Sequence, residues 1–270
     1  MISTEKEIIK KRMGVDMSNP TLDLMHQHGS VRHYKPDPVP REMIESIVAA
    51  GQCAATSSNL QMYSVVALTD PEKRTQMQAY CGGQKHISQA PVFLTWVADL
   101  SRLERICEVR GYTQESAYAE NFLLAAVDAA IAAQNAGLAA ESLGLGFCYI
   151  GAIRNRPREV IELLELPQLA FPLVGMTLGW PSRQPTIRPR LPLEAVLHWE
   201  RYNPENEAAH LQQYDQEMIA TGIYRGRQVS PEDPLPVSEY GWTEHSARRV
   251  SKVQRPHLRA VLQEQSFELK

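Results

Sequence analysis

The stretch that most limits what this chain can fold into is NFLLAAVDAAIAAQNAGLAAESLGLG, residues 121–146. It is rich in alanine and apolar almost all round, over a predicted helix of residues 115–142. Such a helix must be buried on nearly every side, at the centre of a domain or in a large subunit interface. Its small residues let a second helix come close. Asp128, Gln134, Asn135 and Glu141 interrupt the run before it could span a bilayer.

The surrounding chain supplies layers to cover it. Asn19-Pro20 reads as an N-cap and first helical position, and that short helix ends near His28-Gly29. Residues 38–54 carry Ile44, Ile47 and Val48 at helical spacing, with Gly51 near the end. MYSVVALTD (62–70) is a strand, and PEKRTQMQAYCGG a polar helix stopped by Gly82-Gly83. APVFLTWVAD (90–99) reads as a buried strand; LGFCYIGA (145–152) and FPLVGMTLGW (171–180) are two more. Strands and helices alternate from 40 to 180, which predicts one α+β (α/β) domain with a central sheet.

After Trp180 prolines multiply. A polar helix is expected at 207–221, followed by a loop with Pro231, Pro234 and Pro236 and a basic end. The expected organisation is a single domain over 18–270. Its core spans about 26–192, and an extended C-terminal arm with a mobile loop covers about 193–270. Residues 1–17 form a short charged N-terminal arm.

Four segments could carry chemistry. In HGSVR, an extended backbone points His28, Ser30 and Arg32 to one side, and a helical one still aligns 28 with 32. Imidazole, hydroxyl and guanidinium donors suit a phosphate; a solvated turn with a surface ion pair is the other reading. In TIRPRLP, Pro189 stiffens the chain, and Arg188 and Arg190 project to the same side. They either share an anion or form a basic surface loop. Ser57, Ser58, Asn59 and Gln61 cluster neutral hydrogen-bonding groups before a strand, and Gly82-Gly83 allows close approach before Gln84, Lys85 and His86. These groups suit a heterocycle such as a pyrimidine ring, or form a polar turn and a helix cap. Gly144-x-Gly146 resembles part of a dinucleotide fingerprint, but it enters a strand instead of leaving one, which excludes a Rossmann reading. Gly151 could offer a bare N–H to a ligand.

Other classes lose their markers. The four cysteines (Cys53, Cys81, Cys107, Cys148) have no Cys-x-x-Cys spacing, no zinc pattern occurs, and no metal is expected. There is no P-loop and no Gly-x-Ser-x-Gly elbow. Net charge is -3. The basic end RRVSKVQRPHLR lacks the aromatic interleaving of single-strand platforms, so no nucleic acid is expected. No apolar leader precedes Pro20, which reads as a cytoplasmic protein with reduced thiols.

In their order, HGSVRHYKPDPVP, ATSSNLQMYSVV, GGQKHISQAPVFLTWVADLSR, AAQNAGLAAESLGLGFCYIGAIRN, FPLVGMTLGWP and RPRLP resemble the FMN-dependent nitroreductase family. The nearest branch is the NADPH-preferring, oxygen-insensitive nitroreductases and flavin reductases. The likeness covers about 28–192 and continues more weakly through GWTEHSARRVSKVQRPHL. It implies a central mixed sheet flanked by helices, and an intertwined homodimer with FMN at its interface.

By the same resemblance, His28, Ser30, Arg32, Arg188 and Arg190 would hold the FMN phosphate. Ser57, Ser58, Asn59 and Gln61 would flank the ring or ribityl chain, and Gln84, Lys85 and His86 would sit near the pyrimidine edge. Tyr149, Ile150 and Gly151 would line the ring. Glu120, Lys252 and Arg255 would border the substrate pocket, and Arg225 and Arg227 would meet the NADPH 2′-phosphate. Relatives often have Arg at Gly29 and a second glycine at Ala152, and the loop 221–240 matches poorly.

The implied activity is an FMN-dependent oxidoreductase that passes hydride from NADPH to FMN. Two electrons then go to nitroaromatics, quinones or free flavin by a ping-pong route with no protein nucleophile. The alternatives are an NAD(P)H:FMN oxidoreductase that supplies reduced flavin to a partner, and a non-catalytic ligand-binding protein.

Overall fold

The computed structural model describes residues 19–270, so the arm expected at 1–17 lies outside the described residues. Asn19 caps helix α1 (Pro20–His26) by accepting the N–H groups of Thr21 and Leu22, as its Asn-Pro start predicts. Then follow α2 (Arg41–Gln52), β1 (Tyr63–Leu68), α3 (Pro71–Tyr80), α4 (His86–Gln89), β2 (Val92–Asp99) and α5 (Ser101–Arg110). The long α6 (Ala119–Ser142) leads to β3 (Gly146–Ile150), α7 (Pro157–Leu164) and β4 (Ala170–Gly179). The last helices are α8 (Glu207–Thr221), α9 (Trp242–Val250) and α10 (Leu258–Glu264).

Backbone contacts divide the chain into two units. One holds Ser30–Pro185 with Arg255–Lys270; the other holds 19–29 with Thr186–Gln254.

In the first unit the strands lie in the order β1-β2-β4-β3. The α+β class is as expected, but the sheet is not mixed: all three pairings are antiparallel. Alternation of strand and helix in sequence does not fix direction, because a helix between two strands need not return the chain to the same end. Strand β2 is buried at every residue, as its unbroken apolar run predicts.

Helix α6 begins at Ala119, later than the predicted 115. The Asn121 side chain donates to the Glu115 carbonyl at 2.6 Å and turns the preceding segment back on the first helical turn. One broad stripe of α6 is buried: Ala125, Asp128, Ala129, Ala132, Ala133, Ala136, Gly137 and Ala140. It packs with Ile44 and Ile47 of α2 and with Trp96, Phe147, Met176 and Leu178 of the sheet. Gly51 is the contact point: a Cβ built there would stand 2.9 Å from the Ala132 carbonyl oxygen. The close second helix expected from the small residues is therefore α2. The other side of α6 leaves Leu123, Val127 and Ile131 exposed, one helical turn apart.

In the second unit, Asp215 of α8 caps α9 by accepting the N–H and hydroxyl of Thr243. The loop between these helices is braced from inside. The Gln228 amide donates to the Leu235 carbonyl (2.7 Å) and accepts the Leu235 N–H (2.9 Å). The Tyr240 hydroxyl accepts the Val229 N–H at 2.8 Å and pairs with Nδ1 of His245 at 3.2 Å.

Candidate functional site

Beyond the α1 helix the chain runs extended beside β3, where the Val31 N–H donates to the Phe147 carbonyl at 2.9 Å. Val31 is buried, and its neighbours Ser30 and Arg32 are exposed. This is the alternation that the extended reading of HGSVR requires. The Ser30 hydroxyl lies in hydrogen-bonding reach of the Cys148 thiol, and Arg32 is close enough to lower the pKa of that thiol; burial, the larger effect, raises it.

His86, the first residue of α4, comes to the same place. Its pKa is lowered by burial first, then by Arg32 and His33. Its Nε2 atom is buried and has no hydrogen-bond partner among the described residues. Ser30, Arg32 and His86, widely separated in sequence, thus converge on one spot. Gln84 and Lys85 precede it, following Gly82 and Gly83, both left-handed at φ 75° and 72°. The Gln84 side chain donates to the Cys81 carbonyl at 3.0 Å.

Residues 56–62 form a tight polar loop. Ser58, Asn59 and Gln61 are all left-handed, with φ of 48°, 55° and 52°, and none is glycine. Ser58, Asn59 and Gln61 are exposed and Ser57 half-buried, while Met62 is buried. Asp128 accepts the backbone N–H groups of Ser57 and Met62.

At the other end of β3, Tyr149 is partly exposed, its hydroxyl donating to Gln134 of α6 at 3.3 Å, and Ile150 is buried. Gly151 opens a short 3₁₀ turn, Gly151–Asn155. The Arg154 guanidinium, from that turn, bonds the Leu173 carbonyl. Arg255 reaches back to the same turn, donating to Asn155 Oδ1 at 2.8 Å, and its own backbone is left-handed at φ 50°. Glu120 is exposed in the first turn of α6.

The remaining expected residues belong to the second unit. His28 lies just past α1, and its N–H donates to the Met25 carbonyl. Arg188 is close enough to Tyr224 to lower its pKa, while burial, the larger effect, pushes that phenol up to about 12. Arg190, Arg225 and Arg227 are exposed. Lys252 pairs with Glu232 at 3.9 Å.

Three participants escaped the sequence reading. Asp128 stood out only as a break in an apolar run, although a lone carboxylate there signals a buried acceptor with partners. Cys148 was legible only as a strand residue. Arg154 had no local signal, because its place depends on the turn after β3.

These groups meet the needs of FMN. The phosphate needs clustered donors, which Ser30 and Arg32 supply, and among the described residues the buried Nε2 of His86 beside them has no partner of its own. The ring needs neutral hydrogen-bonding groups and an open backbone edge, which the 57–61 loop and Gly151 offer. Among the described residues no cluster of His, Cys, Asp or Glu could hold a metal ion.

Comparison with known proteins gives a consistent picture. The profile of the nitroreductase family matches residues 25–180, and that of the nitroreductase family C-terminal domain matches 188–270. The oxygen-insensitive NADPH nitroreductase of Salmonella typhimurium is 38% identical over 249 residues, covering 92% of this chain and 98% of that protein. An FMN reductase [NAD(P)H] of Bacillus subtilis is 37% identical over 254 residues, covering 93% and 99%. The solved structure of the hypothetical oxidoreductase YcnD from Bacillus subtilis superposes with a TM-score of 0.86 at 36% identity, covering 94% of this chain and all of that one (100%).

Proposed function

The chain belongs to the nitroreductase family, and on that premise we propose that it is an NADPH-dependent FMN oxidoreductase that reduces nitroaromatics, quinones or free flavin. The observation that carries the reading is the buried Nε2 of His86 beside Arg32, without a partner among the described residues. When bound, FMN supplies the two-electron chemistry, taking hydride from NADPH and handing it on to the oxidant.

The residues of this chain supply position and charge. Ser30 and Arg32, with His86 beside Arg32, are assigned to the phosphate, which moves His86 from the pyrimidine edge where the family resemblance put it; the resemblance adds His28, Arg188 and Arg190. Ser57, Ser58, Asn59 and Gln61 flank the ring or the ribityl chain. Gln84 and Lys85 present donors and a positive charge to the pyrimidine edge. Tyr149, Ile150 and Gly151 form a wall of the ring site, with the Gly151 N–H directed to its central edge. Arg255 beside Gly151–Asn155, together with Glu120 and Lys252, borders the oxidant, and Arg225 and Arg227 receive the NADPH 2′-phosphate.

The oxidant approaches an exposed face, so side-chain contacts select it weakly. The differing names of the relatives, nitroreductase and FMN reductase, fit such a site. A second copy of the chain is the proposed cover for Leu123, Val127 and Ile131 of α6, because three large apolar side chains on one helix face are costly to leave wet. The four free thiols accord with a cytoplasmic location.

The test is an absorption spectrum of the purified protein before and after anaerobic NADPH. Flavin bands that bleach support the reading. A colourless protein that takes up no added FMN removes it.

A further inference from the structure

Asp128 is the one charged residue on the buried stripe of α6, 1% exposed among alanines. A carboxylate is expelled from such a place unless its oxygens are satisfied. Here both oxygens are engaged. Oδ1 accepts the Ser57 N–H at 2.9 Å, and Oδ2 accepts the Met62 N–H at 3.1 Å. These two amides bracket the loop in which Ser58, Asn59 and Gln61 all adopt the left-handed conformation that non-glycine residues disfavour. Such a backbone persists only where its surroundings over-determine it. From outside, Arg102 bonds the Gln61 carbonyl at 2.8 Å; from inside, Asp128 holds both ends.

We propose that Asp128 is a positioning residue for flavin binding, which fixes the 57–62 loop so that Ser57, Ser58, Asn59 and Gln61 present a preformed edge to the cofactor. This rests on the reading that those four residues flank bound FMN. A carboxylate suits this role because it is acceptor-only at both oxygens. Asparagine keeps the shape but turns an NH2 group toward one of the two amides. Preforming the loop moves its ordering cost from binding to folding, so the effect falls on cofactor affinity.

Asp128→Asn tests this, with Ala133→Gly on the same helix as a control that loosens packing without touching the loop. Two measurements apply: FMN affinity by titration of stripped protein, and amide exchange at Ser57 and Met62 before FMN is added. Expected for Asp128→Asn are faster exchange at one or both amides, FMN bound roughly tenfold more weakly, and altered visible circular dichroism of the bound flavin. The control should stay within about twofold of wild type in FMN affinity. Should Asp128→Asn not fold, Ser57→Pro removes the Oδ1 contact from the loop side, at a position where the first turn of a 3₁₀ helix admits proline. Unchanged FMN affinity and dichroism in the folded variant overturn the proposal while the flavin reading stands. If wild type takes up no FMN, the flavin reading fails and this proposal fails with it; exchange at Ser57 and Met62 then reports only whether Asp128 pins the loop.

Discussion

Gly51 of α2 lies so close to Ala132 of α6 that an added Cβ would stand 2.9 Å from the Ala132 carbonyl oxygen, 3.2 Å from the Ala136 methyl and 3.3 Å from the Trp96 ring. The nearest obstacle is backbone, which cannot swing aside. A larger residue must therefore push the two helices apart. Gly51→Val is expected to cost about 3 kcal/mol or more, as overpacking at a rigid contact does. Urea unfolding measures it, and a loss under about 1 kcal/mol would mean the interface is loose.

Arg190 is assigned to the phosphate from its pairing with Arg188 across Pro189. Losing one charge-assisted contact to a phosphate should weaken FMN binding by roughly ten- to a hundredfold. Arg190→Ala protein purified at low FMN should be pale and regain colour on titration. Full flavin occupancy in that variant would sink the assignment.

Much of this was legible in the sequence, for identifiable reasons. The strand 90–99 announced itself because burial on both faces demands an unbroken apolar run, whereas 62–70, half-buried along most of β1, was legible from its β-branched residues and its Thr-Asp-Pro end. Small residues on an apolar helix announced a close second helix, but not that it would be α2. The antiparallel directions did not follow, since local composition carries no record of which way a neighbouring strand runs. His86 was seen as polar, but its meeting with Arg32 across the fold was not legible. Asp128 was misjudged because its partners are backbone amides, which leave no trace in side-chain identity.

The convergence of Arg32, His33 and His86 makes stability depend on pH. Burial, and then Arg32 and His33, hold the His86 imidazole below its ordinary range. The unfolded chain therefore binds a proton at higher pH than the folded one. Stability is full above the unfolded value of about 6.5 and is lost as the pH falls from there toward the folded value. His245 is shifted in the same direction by burial and Arg249, so the two add. In flavin-free protein, His86→Gln should flatten the loss below about pH 6.5 without abolishing it. An unchanged pH profile would show that His86 takes its proton at the same pH folded and unfolded.

Leu123, Val127 and Ile131 present an apolar ridge that a second copy is proposed to cover. Val127→Glu places a charge at its centre. In an interface of this kind a buried, unpaired carboxylate is strongly destabilising, so the variant should elute as monomer in size-exclusion chromatography. In a chain that is already a monomer, the same change at an exposed position would alter neither size nor stability by a measurable amount.

The loop between α8 and α9 governs nucleotide choice in this reading, and two kinds of substitution separate contact from support. Arg225 and Arg227 are exposed on it and available to the extra phosphate that distinguishes NADPH from NADH. Arg225→Ala with Arg227→Ala should raise the KM for NADPH by roughly tenfold or more while leaving that for NADH little changed. Gln228 acts one step back: its amide both donates to and accepts from Leu235, so the loop is held by two hydrogen bonds to a single residue. Gln228→Ala removes both and lets the arginines wander. The entropy of ordering them then opposes NADPH binding, and KM should rise by a smaller factor, with FMN affinity untouched. Steady-state kinetics with both nucleotides decides the matter. If the double arginine variant weakens NADPH and NADH alike, these side chains serve the common part of the nucleotide, and the preference must originate elsewhere. If Gln228→Ala alone leaves both KM values unchanged, the loop is held in place without its internal clamp.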